Sequence, residues 1–139
     1  MTILVAAHPA GTVRLQKVLA GHELTFVETV EQAKQALARR AFSCVVLGVQ
    51  FDESRVLRLL DELRSQRRLT APVVCVVGIK GRLSHIAIGA FDQAARALGA
   101  NAVLDMTDFP DDQQGNARLR GVIDRLMPAS RAVSPPRAS

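Results

Sequence analysis

Short runs of apolar residues alternate along this chain with longer stretches in which apolar positions recur every three or four residues. The two patterns predict strands and helices in turn. Residues 2–6, Thr-Ile-Leu-Val-Ala, are the first run, continuous and rich in β-branched side chains, as suits a strand covered on both faces. Over 12–20, Val13, Leu15, Val18 and Leu19 predict a helix, with Gly21 as its C-terminal cap. A strand is expected over 23–28. Thr29 then caps a helix with Gln32 at capping-box spacing and Val30, Ala33, Ala36 and Leu37 as the buried stripe.

Residues 43–49 are the most hydrophobic segment and predict the central strand. Asp52 is placed to cap the helix that follows, with Val56, Leu57, Leu60 and Leu63 inward and Arg55, Arg58, Asp61, Glu62 and Arg64 on a solvated, mixed-charge face. Pro72 opens a strand over 73–77, a position where the missing N–H does no harm, and Gly78 ends it. After a glycine-punctuated loop, Ser84 caps a helix running through Phe91, Ala94, Ala95 and Leu98 to Gly99, with Gly89 as a weak point. Residues 102–105 predict the fifth strand. The last helix starts beyond Pro110 and reaches Met127, with Leu119, Val122, Ile123 and Leu126 inward and Gly115 weakening its first turns.

Five strands alternating with five helices predict an α/β fold: a three-layer, doubly wound, five-stranded parallel sheet of order 2-1-3-4-5, flavodoxin-like. The domain is expected over residues 1–127. The Ala, Ser, Pro and Arg composition of 128–139 predicts a disordered tail or the start of a linker. Ligands of such sheets bind at the carboxyl ends of the strands, beside the switch point between the first and third. That places any chemistry near Ala6, Ala7, His8 and Gly48.

Composition narrows the picture. With 48% hydrophobic and 22% charged residues in a chain of 139, one globular domain is expected, and collagen-like or wholly disordered readings are disfavoured. No apolar run approaches the ~20 residues of a membrane-spanning helix, and a cytoplasmic location is expected. Cys44 and Cys75 sit inside apolar runs without a metal-ligand spacing, as buried reduced thiols do. The net charge of +5 suits an acidic partner, but the arginines are scattered and there is no Tyr or Trp for base stacking, so nucleic acid is disfavoured.

The end of the first strand with Pro9, the 42–48 segment Phe-Ser-Cys-Val-Val-Leu-Gly, Pro72, and Gly99-Ala100-Asn101-Ala102 before the fifth strand carry a resemblance. Over 2–127 the chain resembles the receiver domain of two-component response regulators. In that family, acids at the end of the first strand and a phosphoacceptor aspartate at the end of the third hold Mg²⁺. A hydroxyl residue ends the fourth strand and a lysine the fifth. The matching positions here are Ala6 and Ala7, Gly48, Val77 and Met106. Methyl groups offer Mg²⁺ none of the hard oxygen ligands it requires, and neither Asp52 nor Asp105, the carboxylates considered near this edge, has a second acid at a spacing suited to phosphorylation assisted by a bound metal.

The resemblance therefore implies a degenerate receiver, a pseudo-receiver that is not an enzyme and works through protein interaction without phosphorylation, metal or cofactor. The family's output surface, the last two helices and the strand between them, carries Arg96, Arg118, Arg120 and Arg125 here. The expected partner is another protein, a downstream domain or a second copy. Such domains are also similar to the N-terminal regulatory domains of some enhancer-binding transcription regulators. A rival reading takes the 78–82 loop, with Lys80, Gly81 and Arg82, as a backbone nest for a small anionic ligand; its pattern excludes a P-loop.

Overall fold

Each of the five apolar runs forms a strand: β1 (Thr2–Ala6), β2 (Glu23–Val27), β3 (Cys44–Gly48), β4 (Val73–Val77) and β5 (Ala102–Asp105). The helices between them are α1 (Pro9–Val18), α2 (Val30–Arg39), α3 (Val56–Ser65), α4 (His85–Ala97) and α5 (Gln113–Leu126), with a 3₁₀ turn over Met106–Asp108. The structure is a computed structural model and describes residues 2–49, 55–77 and 85–127. Asp52, Gly78, Lys80, Gly81, Arg82, Ser84 and the tail 128–139 lie outside the described residues. All strand pairs are parallel, in the order β2-β1-β3-β4-β5, as the alternation of elements predicts.

Side-chain alternation along the strands divides the core into two halves. Ile3, Val5, Ala7, Cys44, Val46, Val74 and Val76 pack with Leu15 and Val18 of α1 and Leu119 and Ile123 of α5. On the opposite face Leu4, Ala6, Val45, Leu47, Val73 and Cys75 meet α2, α3 and α4 through Ala33, Leu59, Leu60, Leu63 and Ala95. Strands buried on both faces explain the uninterrupted apolar runs. Truncating any of the leucines in either half to alanine removes about 2–5 kcal/mol.

Three helix boundaries are set by local chemistry. Thr29 accepts the Gln32 amide at 3.1 Å, and the Gln32 side chain accepts the Glu28 amide at 2.8 Å, one residue before the reciprocal partner of a standard capping box. Gly21 and Gly99 end α1 and α4 with φ of +95° and +109°, the left-handed region that favours glycine. Gly99 has a second constraint, because a Cβ there would lie 2.6 Å from Cγ of Arg64.

The structure corrects three expectations. Helix α1 begins at Pro9, suited to a first turn that needs no N–H, and Val13 is 64% exposed because its row continues to Lys17. The buried rows are Arg14 with Val18 and Leu15 with Leu19. In α3, Leu59 is buried while Leu57 is only partly so, and Arg64 leaves the solvated face to donate to the carbonyls of Gly99, Leu69 and Ala71 and to Oδ1 of Asn101. Gly115 is a close contact rather than a weak point: a Cβ there would stand 2.0 Å from the Pro110 carbonyl oxygen.

Candidate functional site

Strand register brings the expected positions to one edge of the sheet. Ala6 pairs with Leu47, so Ala7 stands beside Gly48; Gly48 pairs with Val76, Val77 with Asp105, and Met106 follows directly. Ala6 turns away from this edge into the α2–α3 half of the core, whereas Ala7 and Met106 belong to the α1–α5 half. Of the two alanines, Ala7 is therefore the one at the site, with the exposed His8 next to it. A Cβ on Gly48 would lie 3.2 Å from the Ala7 Cβ, closer than ordinary van der Waals contact. Ala7, Gly48, Val77 and Met106 are all buried.

Among the described residues, the positions Ala7, Val77 and Met106 thus carry hydrocarbon, and Gly48 no side chain, where the receiver pattern has oxygen and ammonium groups. Among the described residues no three His, Cys, Asp or Glu side chains gather closely enough to hold a metal ion. Asp105 serves its own backbone: its Oδ1 accepts the Thr107 amide at 2.9 Å and the Thr107 hydroxyl at 2.6 Å, starting the 3₁₀ turn. No helix among the described residues is long and apolar enough to cross a membrane.

The segment joining β5 to α5 is held from α1 by Arg14, a residue that sequence reasoning missed. Its Nη1 donates to the Met106 carbonyl at 2.8 Å, Nη2 to those of Phe109 and Pro110, and Nε to Asn116 Oδ1 at 2.9 Å. Lys17 adds an ion pair to Asp111 at 3.0 Å. Hydrogen bonds from Asn116 and Lys17, in that order, hold the Asp111 carboxyl below its ordinary pKa. The available sequence signal was the spacing of Arg14 to Val18, which puts the arginine on a buried row.

The four arginines expected on an interaction surface do not act alike. Arg120 turns toward the opposite end of α1, donating to the Ala20 carbonyl and to Asp124, which also bonds His22 Nε2 at 3.0 Å. Arg96 pairs with Asp92 one turn earlier in α4. Arg118 and Arg125 remain exposed, and with Phe109, Gly121 and Val122 they line one open groove of about 440 Å³ on α5, so Val122 is only partly buried and faces this groove where its spacing predicts the core. The Arg118 guanidinium lies 5.5 Å from the centre of the Phe109 ring, at cation–π distance.

No protein-family model matches the chain, and no curated protein matches it. Solved structures do match. The receiver domain of NtrX from Brucella abortus is 26% identical, with a TM-score of 0.67 over 92% of this chain and 99% of that one. The chain spans 27% of the longer NtrX structure from the same organism, at 25% identity, 94% coverage of itself and a TM-score of 0.70. A CheY-like receiver domain from Methylobacillus flagellatus matches over 88% of this chain and 96% of its own, at 20% identity and a TM-score of 0.59. The fold is the flavodoxin-like fold of receiver domains.

Proposed function

We propose that this chain is a signalling domain of the two-component type that no longer takes up phosphate and presents one fixed surface to a protein partner. The observation that carries the reading is the close approach of Ala7 and Gly48 at the ends of β1 and β3, where Val77 and Met106 at the ends of the neighbouring strands are buried as well. A phosphoacceptor needs a carboxylate nucleophile, and Mg²⁺ needs oxygen ligands in near-octahedral array. Ala7, Gly48, Val77 and Met106 supply neither. The domain then performs no catalysis, and its output is binding.

The surface best suited to that binding is the α5 groove. Its lining combines the cations Arg118 and Arg125 with Gly121, Val122 and Phe109, a combination that favours an acidic segment with an apolar anchor. The partner is a separate protein or a domain of a longer chain. The second form is favoured by the match to one part of the longer NtrX structure.

Incubation with Mg²⁺ and acetyl phosphate, read by intact mass, tests the proposal. The expected result is an unmodified protein. A stoichiometric phosphoryl adduct on an aspartate overturns it.

A further inference from the structure

We infer that Arg14 is the positioning residue of the α5 groove, although it does not line that groove. This inference rests on the reading of the groove as the binding surface. The Arg14 side chain, 16% exposed, spans the β5–α5 segment with four acceptors: the carbonyls of Met106, Phe109 and Pro110 and the Asn116 side chain. Only a guanidinium, with five donors in a planar fork, can serve acceptors so spread; an ammonium is a point charge.

The consequence lies on the far side of the segment. Phe109 has its carbonyl held by Arg14 and its ring beneath the Arg118 guanidinium. Ring and guanidinium are two of the five residues that form the groove. From below, the Pro110 carbonyl sits so close to Gly115 that no side chain fits between them. The segment is therefore held twice, by Arg14 from α1 and by the close approach of Pro110 to Gly115 in the first turn of α5. Arg14 thus links the helix that follows Ala7 and His8 to the surface offered to a partner.

The test compares Arg14→Gln and Arg14→Lys in the full chain with Leu37→Ala, a destabilising control in the other half of the core. Two signals report the segment: exchange of the Phe109 and Asp112 amides, which bond to the Met106 and Pro110 carbonyls, and the Phe109 ring resonances. Arg14→Gln is expected to speed exchange at both amides about tenfold or more and to move the ring resonances toward those of Arg118→Ala. Arg14→Lys should restore them only in part, and Leu37→Ala should leave the ring resonances unmoved. Unchanged ring and amide signals in Arg14→Gln overturn the inference, and so does an equal response in Leu37→Ala. If Arg14→Gln fails to fold, Arg14→Lys alone decides: wild-type ring resonances in it overturn the inference. None of these signals needs a partner, so a partner that proves to bind elsewhere counts against the groove reading and leaves the role of Arg14 standing.

Discussion

Gly48 has less room than the end of an open strand would give it. Replacing it with aspartate forces a side chain against the Ala7 methyl and sets a carboxylate into a hydrocarbon edge, so Gly48→Asp should cost about 1–3 kcal/mol, read as a lower urea midpoint with an unchanged slope. Equal or greater stability would mean that the edge relaxes and can accept an acid. Adding aspartates at 6 and 7 should destabilise further, because Ala6 belongs to the leucine-rich α2–α3 half of the core. Gly115→Ala meets a backbone oxygen rather than a flexible side chain and should cost more than about 2 kcal/mol. Residues of this kind are where the sequence is least legible. A glycine kept for close approach and a glycine that weakens a helix are the same letter, and the long stems of Arg14 and Arg64 reach carbonyls that no spacing rule connects to them.

Secondary structure was far more legible, because its signals are local. The strands announce themselves as β-branched runs, and the Thr29 and Gln32 pair marks the start of α2; Thr29→Ala should therefore cost about 1 kcal/mol, checked by thermal denaturation. The start of α1 is less legible, because Pro9 suits a turn as well as a first helical position, and Val13 is exposed because the row it shares with Lys17 faces outward. The β5–α5 connection carries a pH dependence. The Asp111 carboxyl is held below its ordinary value of 3.8 by Asn116 and Lys17, so its contribution is present above that value and is lost as pH falls through the lower folded value. Amide exchange at Asp112 should rise selectively in that acid range, and a flat profile would show that the carboxyl does not hold the segment. On α5, charge reversal at Arg118 and Arg125 should weaken partner binding while changing stability by no more than about 0.5 kcal/mol. If binding survives that change and is abolished by reversal at Arg55 and Arg58 on the α3 side, the surface has been assigned wrongly.

At the scale of the molecule, the order of strands follows from the alternation of elements and needs few details of sequence. It is also what the site inherits: any such sheet brings the ends of β1 and β3 together, whether or not they carry acids. Burial pushes the Cys44 and Cys75 thiols up to about 12, so both stay protonated and unreactive at neutral pH. A maleimide should label them only on unfolding, and stability should fall as pH rises from 9 toward 12, where the unfolded thiols lose protons that the folded ones retain. The central claim is that the carboxyl edge no longer commands the α5 surface. The most direct measurement is the amide spectrum of the whole domain, recorded with and without Mg²⁺ and acetyl phosphate. Resonances of residues 7, 48, 77 and 106–125 are predicted to stay where they are, and saturable shifts running from the edge into α5 would contradict the account.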